Sequence, residues 1–477
     1  MKLFGGAKPD HPMADRKEAR RLLDALPAQD LKAAEELAHW HESASTAQGL
    51  KPEERAQRIA MIDETGQQRL KKLERDYLTA ARGARASRAQ ENLVWTRIHE
   101  YWRQAAQAYV RCIDAKSPPE VILGGLRALA EQLKWQQRRY GPIDPAVWGM
   151  MNRVYALAEA RPIAEARPEF LKAAMFAASS PDSLLAHELE LAERLIAALA
   201  PGFALAKAAT PELPYWIDLA QAMAPARALR PPQAAPGLRC FGPGTAAAAV
   251  RGMIERIESG RGIASELKLG AGADAELVLG VLRHFALYWA AEPPGRKHAR
   301  HSMKSSLTVT HGFDGVVQAL GGAGESLDFG KGAGESWTVE NVSAGGFGAL
   351  VPQAKSDWLK VGALLAVQPD GGKNWLVGTV RRLSKLQNRE TRVGVRTLSR
   401  APTLSRFALR STEAQGVLLP GQDAGEAAIA LRAGIYAPGE NLEASIGGKQ
   451  HVYLPQGVAE RGEDYEIVKF KEMVRES

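Results

Sequence analysis

From about Asp15 to Ala290, apolar residues return every three or four positions with charges between them. The stretch KPEERAQRIAMIDETGQQRLKKLERDYLTAAR shows the pattern at its clearest, and the spacing predicts amphipathic helix. SPPEVILGGLRALAEQLKWQQRRY opens on Ser-Pro-Pro-Glu, which places proline in a first helical turn. SSPDSLLAHELELAERLIAALAPG closes on Pro-Gly, a stop signal. TAAAAVRGMIERIESG and AELVLGVLRHFALYWAAEPPG repeat the theme, so roughly ten helices joined by short loops are expected. Trp40, Trp95, Trp102, Trp135, Trp148, Trp216 and Trp289 fall in this region and read as helix-packing residues. The proline-rich segment 201–241 reads either as an ordered loop or as a subdomain joint.

At Pro293-Pro294-Gly295 the period changes from about 3.6 to about 2. SLTVTHG, SWTVENV, GALLAVQP, NWLVGTVRRL and TRVGVRTL alternate or are β-branched, with turns between them. They predict an antiparallel sheet or small barrel from about Arg296 to Leu404. Inside it lies a glycine-rich stretch in which GAGES occurs at 322–326 and again at 332–336, read as a hairpin tip. GVLLPG, AAIALRAGIYAPGE, NLEASIGG, KQHVYLP and YEIVKFKEM form a last set of short strands, a small β unit packed on the first. The expected organisation is a multidomain α + β chain. It has a mobile leader at 1–14, a large all-α helical N-terminal domain at 15–290, an antiparallel β-barrel at 291–410 and a small C-terminal β unit at 411–477.

Composition narrows the function. No run of eighteen apolar residues is present, so no membrane span is expected, and the first residues carry no apolar signal region. Cys112 and Cys240 are the only cysteines, which fits a reducing cytoplasm and excludes a disulfide framework. Residues 291–410 hold 17 Lys and Arg against 9 Asp and Glu, and so carry the whole net charge of +8. A basic surface confined to one quarter of the chain suggests a phosphate-bearing partner. No nucleophile, metal or cofactor arrangement stands out, so neither enzyme activity nor a cofactor is expected.

Two short motifs remain. Arg296-Lys-His-Ala-Arg300 sits where helical pattern gives way to strand, and Asn341-Val-Ser-Ala-Gly-Gly346 sits at a strand end. Two guanidiniums four residues apart can fork around one compact anion, because arginine bonds phosphate bidentately. A short amide, a hydroxyl and two glycines offer hydrogen bonds and close backbone approach. RxxxR ahead of a barrel, followed by (D/N)xSxxG on a later strand, resembles the PilZ domain. SAGGFGALVP, WLVGTVRRL and TRVGVRTL are similar to the strands that follow in that family.

The resemblance covers about Arg296 to Leu404 and implies a PilZ-like antiparallel β-barrel that binds cyclic di-GMP. It would place Arg296 and Arg300 on phosphates and guanines. Asn341 and Ser343 would meet a guanine edge or phosphate, with Gly346 keeping the turn open. Lys297 and His301 would add positive potential, and Arg381 and Arg382 would line the same face by strand alternation. The gap between the motifs exceeds the family's usual one, and the glycine-rich stretch would account for it as a hairpin extension. The chain is then expected to be a cytoplasmic regulator whose helical domain meets a protein partner, with ligand binding at the domain junction as the switch. Two alternatives stay open: a ligand-free adaptor on the PilZ fold, or a nucleic-acid-binding protein with Trp337, Trp358 and Trp375 as stacking platforms.

Overall fold

The structure is a computed structural model. It describes residues 11–475 apart from 83–87, 143, 231, 268, 270–272, 293–294, 296–297, 323–333, 353–357, 410–411 and 421–425. The chain divides into two compact units, one of 1–181 and 186–294, the other of Asp182–Leu185 and Gly295–Ser477.

The first unit opens with α1 (Arg16–Asp24), α2 (Asp30–Thr46), α3 (Pro52–Arg82), α4 (Arg88–Cys112), α5 (Pro119–Gln137), α6 (Pro145–Ala160), α7 (Ala166–Ala178) and α8 (Ala186–Leu199). Pro119 and Pro145 stand in the first turns of α5 and α6, where a missing N–H costs nothing. Trp102, Trp135, Trp148 and Trp289 are buried among the helices. At the centre, the hydroxyls of Tyr101 and Tyr109 donate to Asp63 at 3.2 and 3.1 Å. Burial raises the Asp63 carboxyl above its usual range. His41 packs against Tyr101 and is wholly buried.

The expectation of helices alone over 15–290 needs one correction. Strands β1 (Ala204–Ala206), β2 (Tyr215–Asp218), β3 (Ala226–Arg227) and β4 (Leu238–Gly242) form a four-stranded sheet in the order β1-β4-β2-β3. The described residues of the proline-rich segment are therefore ordered structure. Strands of two to five residues are too short to display a period, which is why alternation did not reveal them. Helices α9 (Ala246–Glu258) and α10 (Ala275–Tyr288) complete the unit. Among the described residues no helix is long and apolar enough to cross a membrane.

The second unit holds two closed barrels. The first consists of β5 (His301–His311), β6 (Glu335–Ser343), β7 (Gly346–Val351), β8 (Leu364–Pro369), β9 (Leu376–Lys385) and β10 (Thr391–Ser399), in the order β10-β7-β6-β5-β8-β9. Alternation does the sorting: Leu307, Val309, Trp337, Val339, Val393 and Val395 point inward. Between β5 and β6 runs a helix, α11 (Gly312–Leu320), so helix supplies part of the extra length between the two motifs. Most of the glycine-rich stretch read as a hairpin tip lies outside the described residues.

The last strands form a second closed barrel: β11 (Thr403–Leu409), β12 (Thr412–Pro420), β13 (Glu426–Arg432), β14 (Leu442–Ile446), β15 (Lys449–Arg461) and β16 (Tyr465–Arg475). Thr403–Leu409, which falls before the expected border of the first barrel at 410, pairs instead with β12 and β14 of the second. The barrels share an apolar cluster in which Phe313, Val316, Leu364 and Val377 meet Val417, Leu419, Tyr465 and Ile467. The turn between β15 and β16 adds polar contacts. Glu460 accepts from Arg381 at 2.6 Å and from Arg396, Glu463 pairs with Lys360, and Asp464 accepts from the Phe313 N–H at 2.6 Å, close to the start of α11.

Candidate ligand-binding site

The site is built where β5 begins and β6 ends. Antiparallel pairing sets His301 opposite Val342 and Ser302 opposite Asn341. The segment that enters β5 therefore runs beside the end of β6. A two-residue loop, Ala344-Gly345, then joins β6 to β7, with Ser343 paired to Gly346. Ser343 Oγ donates to Gly346 O across this loop at 3.1 Å. His298, the middle residue of the first motif, lies against the loop: a Cβ on Gly345 would stand 3.0 Å from His298 Cδ2. The two motifs thus meet, although forty residues separate them in sequence.

Arg300 is exposed and has no hydrogen-bond or ion-pair partner among the described residues. His301 is exposed at the first position of β5. Arg296 and Lys297 lie outside the described residues. The Asn341 side chain lies over Gly348, whose Cβ would fall 2.9 Å from Nδ2. Its Oδ1 is buried without a hydrogen-bond partner among the described residues, so no bond opposes its turning toward a ligand.

Gly346 also has a packing role. A Cβ there would fall 2.0 Å from Val395 O, so glycine is what lets β7 approach β10. That approach brings in residues the motifs do not name. Arg396 stands opposite Gly346 in the β7–β10 register, and the Thr397 N–H donates to Gly345 O at 3.1 Å. Arg400 Nη2 donates to Ala344 O at 3.0 Å and lies 3.5 Å from Ser343 O. The only sequence signal for these was the basic spacing of TRVGVRTLSR, in which Arg392, Arg396 and Arg400 recur every fourth residue.

Arg381 and Arg382 are engaged elsewhere. Arg381 has no partner in the β9–β10 register, where a bulge interrupts the ladder, and its guanidinium bonds Glu460. Arg382 is ion-paired with Asp182. Burial and the neighbouring Arg381 lower the Arg396 pKa, and Glu460 opposes them. Trp337 and Trp358 are buried and stacked with ring centroids 6.0 Å apart, both indole N–H groups donating to Glu335. Trp375 packs against the apolar cluster between the barrels. Trp337 and Trp358 are therefore core and Trp375 is half-buried, so the first two do not offer the stacking platforms expected of a nucleic-acid reader.

Residues 334–403 match the middle PilZ domain of the cyclic-di-GMP receptor FimW. The barrel is a PilZ domain. The match takes in Asn341, Ser343 and Gly346 and begins after Arg296 and Arg300. Residues 17–210 match the N-terminal domain of the same receptor, so the helices and the PilZ barrel follow in the order that FimW has them. These two matches leave 1–16, 211–333 and 404–477 uncovered. No curated protein matches the chain.

Proposed function

We propose that this chain is a regulatory effector that binds cyclic di-GMP at the β6–β7 turn of its PilZ domain and acts through binding, not catalysis. The observation that carries the reading is the pairing of Ser302 with Asn341, with His298 against Gly345, which sets the arginine motif beside the Asn-Ser-Gly motif. In this reading Arg296 and Arg300 clasp phosphates and guanines, while Asn341 and Ser343 meet a guanine edge or phosphate, and Lys297 and His301 add positive potential. Among the described residues neither the Arg300 guanidinium nor Asn341 Oδ1 has a hydrogen-bond partner, which supports it, because neither has a described bond to break on receiving a ligand. Closing of Gly295–Arg300 over the ligand would be the switch. Its output would be a protein contact made in the cytoplasm by the helical unit, which matches a domain of the same receptor. A ligand shifts such an equilibrium only by its differential affinity for the two poses.

Titration calorimetry with cyclic di-GMP tests the proposal. Binding in the micromolar range or tighter, abolished by Arg300→Ala, is the expected result. No heat at high micromolar ligand, with the protein folded, overturns it and leaves an adaptor that uses the barrel for protein contacts.

A further inference from the structure

We propose that Arg400 is a third ligand-binding arginine and reads the O6/N7 edge of a guanine, which makes it a specificity-determining residue outside both motifs. The assignment rests on the receptor reading above and adds to it a residue that no motif names. Three observations carry it. Arg400 is exposed, yet its guanidinium is tied to the motif turn through Ala344 O at 3.0 Å, with Ser343 O at 3.5 Å. The same strand end is locked to the turn by Thr397 N–H to Gly345 O and by the Arg396–Gly346 register, so the position of Arg400 follows from the fold rather than from a mobile tail. Among the described residues only Nη2 is engaged, which leaves at least three of the five guanidinium N–H donors uncommitted there.

The chemistry then favours the base over the phosphate. A cyclic dinucleotide has two phosphates and two guanines, and the receptor reading sets Arg296 and Arg300 among both, which leaves a guanine edge for a third arginine fork. A guanine offers two adjacent acceptors, O6 and N7, which a planar guanidinium fork matches with two donors at once. Lysine could supply charge at this position but not a fork.

The test is a double-mutant cycle by calorimetry. Wild type, Arg400→Ala and Arg400→Lys are each titrated with cyclic di-GMP and with its analogue carrying 7-deazaguanine, which lacks the N7 acceptor. Wild type is expected to lose about tenfold or more on removal of N7. Arg400→Ala should bind cyclic di-GMP about tenfold or more weakly and become indifferent to the loss of N7, and Arg400→Lys should behave in the same way. Losses that simply add in the cycle, or full rescue by lysine, would show a phosphate contact or none and overturn the assignment. If wild type binds and Arg400→Ala matches it, this assignment alone falls. If wild type takes up no cyclic di-GMP, the receptor reading falls and the assignment with it.

Discussion

Gly346→Ala is the sharpest single perturbation of the site. The new Cβ would stand 2.0 Å from Val395 O, 3.0 Å from Val395 C and 3.1 Å from Arg396 Cα. A comfortable carbon–oxygen contact lies at about 3.3 Å, so β7 and β10 must part by roughly 1 Å. The clashing atoms are all backbone, so no rotamer change relieves them. Overpacking of this kind costs about 1–3 kcal/mol, and a ladder bond lost at the strand end adds about 1 kcal/mol. A total of about 3 kcal/mol lowers the melting midpoint of a unit of this size by roughly 6–12 °C. The carbonyl that accepts from Ser343 Oγ belongs to Gly346 itself, so the turn moves with it and cyclic di-GMP affinity should drop at least about tenfold. Gly345→Ala is the internal control. Its Cβ meets only the His298 ring, at 3.0 Å, and an exposed side chain can swing away. Thermal melts followed by circular dichroism, with calorimetry on the same samples, read both effects. A Gly346→Ala midpoint within 1 °C of wild type, or a Gly345→Ala loss as large as that of its neighbour, refutes the close-approach argument.

Three further outcomes follow from the geometry. Ser343→Ala removes the Oγ bond to Gly346 O and the proposed ligand contact, and should weaken cyclic di-GMP binding about tenfold in calorimetry while leaving the melt nearly unchanged. Glu460→Gln discharges the carboxylate between Arg381 and Arg396; both guanidiniums are more than a third exposed, so the expected loss is only about 1 kcal/mol, or roughly 2–4 °C. Burial depresses His41 from 6.5 to about 3, so the folded state refuses a proton that the unfolded state accepts. The stability this carries is complete above pH 6.5 and is lost as pH falls toward 3, with a slope approaching one proton. His41→Gln should remove that part of the slope in urea titrations run across this range, and an unchanged slope would contradict it.

The arginine and Asn-Ser-Gly motifs were legible because each is local, and because a strand register can bring two local motifs together. Arg400 was not, because its relation to the turn depends on β10 pairing with β7, a contact between strands forty residues apart that no spacing announces. Helix α11 did leave a trace: Phe313, Val316, Val317 and Leu320 fall at helical spacing in GFDGVVQAL. The preceding alternation of SLTVTHG conceals where one period gives way to the other. Arg381 shows the opposite failure. Alternation places it on a face, but a bulge re-aims it and Glu460, some eighty residues later, decides what it touches. Long helices announced themselves through many repeats of one period, whereas Ala226–Arg227 had two residues in which to do so.

The β15–β16 turn has a consequence for where this protein can be cut. Within six residues, Glu460, Glu463, Asp464 and Tyr465 each hold a group of the PilZ barrel: two arginines, a lysine, the backbone N–H of Phe313 and the carbonyl of Gly362. A fragment that stops at residue 403, where similarity to the family's PilZ domain stops, would lose all of these and expose Phe313, Val316, Leu364 and Val377 to water. Such a piece carries the recognised motifs and lacks one wall of its own core. The border of the PilZ domain as a stretch of text therefore falls about seventy residues short of its border as a folding body, and the second barrel is masonry shared by both.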